Sequence, residues 1–153
     1  MSVSILIVDD HEVVREGVRT IINRARPQWE ICGDAANGQE AIDMAMRLRP
    51  DIILLDITMP VLSGLDAATR ISGLGLTSQI LIFTMHESGE LAHDARRVGA
   101  RGYVTKSDAA RHLVRAIETL LSGGTLVPRD TSRVKKTPAR ESCFDSPWAS
   151  PET

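Results

Sequence analysis

The chain has 153 residues, enough for one domain with a substantial core. Its 18 Lys and Arg nearly balance 20 Asp and Glu, and the formal net charge of −2 argues against a general attraction to nucleic acid or membrane. Two Trp, two Phe and one Tyr are too few for an aromatic core, and two cysteines without metal-ligand spacing point to a reducing compartment.

The start of the chain lacks a basic region followed by a long apolar one, so it does not read as a signal peptide. No apolar run approaches roughly 18 residues. The expectation is a soluble, cytoplasmic protein with no membrane partner.

Val3 to Val8 is a short apolar strand, ended by Asp9-Asp10. From Glu12 the period lengthens. Val14, Val18, Ile21 and Ile22 fall on one helical face, with Arg15, Glu16 and Arg19 off it, and Pro27 closes the helix. Trp29 to Ala35 is a second, weaker strand. Asn37, with Glu40 three residues on, marks a helix start. Ala41, Ile42, Ala45 and Met46 supply its buried face, and Pro50 stops it. Asp51 to Asp56 is a continuous apolar run with a turn signal at Pro60, which reads as a strand buried on both faces.

A helix follows from Ser63 to Ile71, ending at Gly73 or Gly75. Gln79 to Thr84 is a fourth apolar strand, ending in a hydroxyl. Ser88 to Val98 reads as a helix with Leu91, Ala95 and Val98 on one side and Gly99 as its C-cap. Arg101 to Thr105 is a fifth strand, followed by Lys106. Ser107 then caps a last helix with Leu113, Val114, Ile117, Leu120 and Leu121 on one face, ended by Gly123-Gly124. Five strand–helix units with short connections predict an α/β fold, a parallel sheet with helices on both faces. Residues 1–125 make up this domain. Residues 126–153 form a polar tail expected to be disordered, and its basic cluster (Arg129, Arg133, Lys135, Lys136, Arg140) is interspersed with Asp130 and Glu141, as in a solvated linker.

Four of the five strands end in chemistry: Asp9 and Asp10, Asp56, Thr84, and Lys106. Strand two is the exception, ending in Asp34-Ala35-Ala36. In a sheet ordered 2-1-3-4-5, strands one and three are neighbours at the switch point, where open α/β sheets bind ligands. Their three carboxylates then share one pocket and repel one another. Lys106 supplies one positive charge, and a divalent, oxygen-preferring cation would supply two. Carboxylates, a backbone carbonyl and waters suit Mg²⁺, whereas the nitrogen and sulfur ligands of zinc are not at these positions. A carboxylate beside Mg²⁺ and Lys is equipped to attack phosphorus and hold an aspartyl phosphate. Taken singly, Asp9-Asp10 also reads as a turn or helix cap, Lys106 as a solvated strand end and Thr84 as a hydroxyl satisfied by backbone. Their arrival at one rim favours the joint reading.

These residues resemble the receiver domain of two-component response regulators. The resemblance is carried by Asp9-Asp10 after Ile5-Leu6-Ile7-Val8, Asp56-Ile-Thr-Met-Pro60 with Gly64, Thr84, and Tyr103-Val-Thr-Lys106, and covers about residues 2 to 125. Asp34 to Ala41 and Arg101 to Lys106 look most like the receivers of NarL/FixJ-type regulators. The resemblance implies a doubly wound, flavodoxin-like five-stranded sheet of order 2-1-3-4-5. It implies that Asp56 accepts a phosphoryl group from a histidine kinase or phosphotransfer protein. It further implies that Asp9 or Asp10, Asp56 and the Thr58 carbonyl hold Mg²⁺, with Asp10 the more direct ligand. Lys106 and Thr84 would assist the transfer, and Thr84 and Tyr103 would form a switch pair. The helix from Ser88, the fifth strand and the last helix would form an output face for a downstream protein, with homodimerisation on phosphorylation.

The sequence departs from the family in three places. Met85 stands after Thr84, where a small residue is usual, and its thioether is expected to restrict access or slow hydrolysis. Ser107 follows Lys106, where many receivers have proline. Residues 126–153 are too short and polar for a helix-turn-helix, so DNA binding is not expected of this chain. Two other readings compete with a stand-alone receiver: a transcriptional regulator of NarL/FixJ type without its DNA-binding domain, and a phosphatase with an aspartyl nucleophile. The second is disfavoured because Thr58 occupies the position of its acid/base carboxylate. His11 is expected to be exposed at the loop–helix junction, and His86 lies near the pocket mouth, where a solvent-facing role is the default.

Overall fold

Apolar strands alternating with amphipathic helices give the order β1 (Ser4–Val8), α1 (Glu12–Ala25), β2 (Glu30–Ala35), α2 (Gly38–Leu48), β3 (Ile52–Asp56), α3 (Gly64–Ser72), β4 (Gln79–Thr84), α4 (Gly89–Arg97), β5 (Gly102–Thr105) and α5 (Ala109–Leu121). The computed structural model describes residues 3–57, 59, 61–85 and 89–123. Ser88, His86, Thr58, Pro60, Gly124 and the expected tail lie outside these residues, as does the side chain of Leu91.

The five strands form one parallel sheet of order β2-β1-β3-β4-β5, as expected. α1 packs with α5 and α2 packs with α3, so the sheet is covered on both faces. Burial on both faces explains why β1, β3 and β4 are runs of Ile, Leu, Val and Phe rather than alternating sequences. Ile5, Leu6, Ile53, Leu55, Leu81 and Ile82 are completely buried. β2, at the edge, is only partly buried apart from Ala35. Among the described residues, no helix is long and apolar enough to cross a membrane.

Strands β1, β2, β3 and β5 each begin one residue later than the apolar pattern implied. The residues at these starts make single ladder bonds at the open end of the sheet: the Glu30 N–H donates to the Val3 carbonyl, and the Arg101 N–H to that of Ile80. Asn37 caps α2 as expected, accepting from the Glu40 N–H at 2.9 Å, while the Glu40 carboxylate reaches back to the Ala36 N–H at 2.8 Å. Ser63 caps α3 through the Asp66 N–H.

Three expectations at helix level need correction. Ser107 does not cap the last helix. Residues Lys106–Asp108 form a 3-10 turn, and the Thr105 hydroxyl, 3.0 Å from the Asp108 carboxylate, ties that turn to β5. Met46 is 46% exposed rather than buried, and Leu121 is 37% exposed. Each lies just past the apolar face of its helix, where the 3.6-residue period has carried the side chain toward solvent.

Candidate functional site

Strand register brings the chemistry to one rim. Val8 pairs with Leu55, so Asp9 comes level with Asp56. Asp56 pairs with Phe83, and Thr84 with Thr105, immediately before Lys106. Ile82 pairs with Tyr103. Because side chains alternate along a strand, Thr84 and Tyr103 share one face of the sheet, one two-residue step apart. Both are buried.

The centre of the site is a shared ion pair. Lys106 Nζ lies 2.6 Å from Asp9 Oδ2 and 3.4 Å from Asp56 Oδ1. Asp9 is 1% exposed and Asp56 5% exposed. One ammonium thus faces two buried carboxylates and leaves an excess negative charge. Burial, and then repulsion by Asp9, push the Asp56 carboxyl above its ordinary value of 3.8, with the Lys106 ammonium opposing the shift. The Phe83 ring lies beneath the ammonium, its centroid 5.8 Å from Nζ.

Asp10 sits at the mouth of the site. His11 is largely exposed, as expected, and its ring also touches both acids: Nδ1 is 3.2 Å from Asp9 Oδ1 and 3.0 Å from Asp10 Oδ1. The His11 N–H donates to Asp9 Oδ1 at 2.8 Å. Asp9 Oδ2 and Asp10 Oδ1 are buried without a well-formed hydrogen bond, although a cationic or imidazole nitrogen stands beside each. Acceptor capacity therefore remains on both carboxylates, and donor atoms of Asp9, Asp10 and His11 lie within 4.8 Å of one another. Such oxygen-rich surroundings can hold a hard divalent cation.

The loop after β3 is shaped by Gly64. Its N–H donates to the Ile57 carbonyl at 2.7 Å, and a Cβ at this position would stand 1.9 Å from the Asp56 carbonyl oxygen. No side chain fits there. In the same loop Val61 has φ of 71°, a left-handed conformation costly for a β-branched residue.

The sequence-predicted residues divide as follows. Asp9 and Asp56 both contact Lys106, and Asp10 shares the His11 ring with Asp9. Thr84 ends the adjoining β4, Tyr103 lies within β5, and Thr58 lies outside the described residues. Sequence reasoning missed Arg15 and misjudged Asp34. Arg15 Nη1 donates to the Asp9 carbonyl at 2.5 Å, and its Nε lies 3.4 Å from Asp34 Oδ2. Arg19 Nη2 donates to the same oxygen at 2.8 Å. The available signal was the pair Arg15 and Arg19, four residues apart on α1, facing an acid at the end of a neighbouring strand.

Comparison with known proteins places the chain in a family. The family model described as the response regulator receiver domain matches residues 5–118. The transcriptional regulatory protein LnrK of Bacillus subtilis (strain 168) is 36% identical over 126 residues, which cover 82% of this chain and 57% of LnrK. The nitrate/nitrite response regulator protein NarL of Escherichia coli (strain K12) is 34% identical over 120 residues, covering 78% of this chain and 55% of NarL. This chain thus spans a little over half the length of these curated relatives. Among solved structures, a LuxR-family two-component response regulator from Aurantimonas sp. SI85-9A1 superposes with a TM-score of 0.78 at 39% identity, covering 87% of this chain and 94% of that one. The signal receiver domain of a NarL response regulator from Mycobacterium tuberculosis gives 0.74 at 26% identity, covering 80% and 98%. The fold, the register at the rim and these matches agree: the chain belongs to the response regulator receiver domain family of two-component systems, and its relatives are of the NarL/LuxR type.

Proposed function

We propose that this receiver is a phosphoacceptor and that Asp56 takes the phosphoryl group from a histidine kinase or phosphotransfer protein. The observation that carries the reading is the buried Asp9–Lys106–Asp56 cluster. An Asp56 oxygen forms the new P–O bond as the P–N bond to the donor imidazole breaks, and the electron pair stays on that imidazole. Lys106 neutralises charge on the equatorial oxygens, and the Thr84 hydroxyl donates a hydrogen bond to one of them. Asp10, Asp9, Asp56 and the Thr58 carbonyl are the groups assigned to Mg²⁺. The leftover acceptor capacity of Asp9 and Asp10 fits that ion. Bound there, Mg²⁺ would offset the carboxylate charge and bind a phosphoryl oxygen.

Phosphorylation adds about −1.5 to −2 of charge beside Thr84. Thr84 then moves toward the phosphoryl group and Tyr103 follows behind it, which biases the face formed by α4, β5 and α5. A downstream protein or a second copy of the chain reads that face, in the cytoplasm. Met85, 63% exposed beside Thr84, slows access and hydrolysis. The protein works as a switch rather than a turnover enzyme, since Thr58 stands where a phosphatase of this chemistry keeps its acid/base carboxylate.

The test is incubation with acetyl phosphate and Mg²⁺, followed by mass spectrometry. A single added phosphoryl group is expected on wild type and absent from Asp56→Asn. Label on another residue would refute the assignment. A second reading, the receiver portion of a transcriptional regulator, is favoured by relatives bearing that name, of whose length the matched residues cover 57%. Sequence-specific DNA binding by these 153 residues at low salt would overturn the reading of a stand-alone receiver.

A further inference from the structure

We propose that Arg15 is a positioning residue for the acidic pair, acting through the Asp9–Asp10 peptide and braced by Asp34. The inference rests on the reading of Asp9 and Asp10 as Mg²⁺ ligands. The Asp9 carbonyl belongs to the peptide that joins the two acids. A peptide is planar, so fixing its carbonyl fixes the direction in which Asp10 leaves the strand. Arg15 Nη1 holds that carbonyl at 2.5 Å. On the other side of the residue, the Asp9 N–H donates to the Ala35 carbonyl at 3.0 Å. The end of β1 is thus gripped by α1 and by β2 at once.

Asp34 sets a counter-charge beside the grip. It is the neighbour of Ala35 on β2, and its Oδ2 faces Arg15 Nε at 3.4 Å and accepts from Arg19 Nη2 at 2.8 Å. Arg15 is 17% exposed, so its guanidinium is largely withdrawn from water; its Nη1 bonds the Asp9 carbonyl, and its Nε meets Asp34 as an ion pair without a hydrogen bond. Strand two, which brings no group to the reaction, supplies the brace for the strand that does.

Charge and geometry predict opposite outcomes. A cation near a divalent-ion site opposes that ion, so deleting Arg15 would tighten metal binding if its charge were all that mattered. If Arg15 aligns the ligands, deletion weakens binding. Loss of an outer partner of a metal ligand typically costs about 10-fold in affinity or more.

The experiment uses the 153-residue chain and reads free Mn²⁺ by electron paramagnetic resonance, with Mg²⁺ as competitor. Circular dichroism confirms folding of each variant. Arg15→Gln is expected to raise both metal dissociation constants by about 10-fold. Asp34→Asn should weaken the metal in the same direction by a smaller factor, and it carries the test if Arg15→Gln does not fold. A dissociation constant that is unchanged or lower in a folded variant overturns the inference. If wild type shows no saturable site, or Asp10→Asn binds as tightly as wild type, the metal reading itself falls and the role of Arg15 falls with it.

Discussion

Asp56 is held at a cost, and the cost has a pH signature. Its native carboxyl takes up a proton at higher pH than the unfolded chain's, because burial and the Asp9 charge outweigh Lys106. Between 3.8 and that raised value the native state binds more protons than the unfolded state, so this group's contribution to stability falls as pH rises through the window. Above the window the full penalty is present. Asp56→Asn is therefore expected to raise the thermal midpoint at neutral pH, by roughly 2–4 °C, with the difference shrinking as pH falls through the window. A lower midpoint at neutral pH would mean that the Lys106 contact outweighs burial. Lys106→Met has the opposite effect. It leaves Asp9 and Asp56 buried without their shared cation and should cost about 3–5 kcal/mol in urea unfolding, part of it restored by added Mg²⁺. These residues were legible in the sequence because each ends a strand. Arg15 was not, because its role depends on where α1 sets its polar side against β2, and apolar periodicity locates only the buried side of a helix.

At the scale of elements, the loop from β3 to α3 depends on one missing side chain. Gly64→Ala forces a Cβ against the Asp56 carbonyl, and only a backbone shift can relieve that contact. A loss of about 1–3 kcal/mol is expected, together with weaker labelling by acetyl phosphate, since the carbonyl belongs to the phosphoacceptor. Gly73→Ala is the control: its nearest neighbour would be 3.5 Å away, and its stability should stay within about 0.5 kcal/mol of wild type. Chemical denaturation of both variants checks the pair. Strands were legible from their uninterrupted aliphatic runs, and α2 from the Asn37 and Glu40 cap. The start of α5 was not. Ser107 has the chemistry of a cap, but the Thr105–Asp108 contact closes a 3-10 turn first and moves the helix start to Ala109. Local propensity proposed one hydroxyl, and a neighbouring hydroxyl and acid made the contact.

At the scale of the whole molecule, the sheet order follows from the alternation of elements and the handedness of crossovers, both readable in the sequence. Leu55→Ala, at the centre of the sheet, should cost about 2–5 kcal/mol, read by the same unfolding assay. The faces outside the sheet were less legible, since contacts between distant helices leave no periodic trace. One such contact joins α1 to α5: Arg26 Nε donates to Glu118 at 2.7 Å, with the Trp29 ring beside the same guanidinium. The partners are 92 residues apart in the chain. During synthesis, β1 emerges first, yet its neighbour β3 arrives only after α2, and the side of α1 that meets α5 has no partner until α5 has left the ribosome. The rim chemistry is completed just before that, when Lys106 reaches Asp9. A nascent chain thus passes through a stage in which the acidic pair already stands at the end of β1 and the cation that neutralises it has not yet been made.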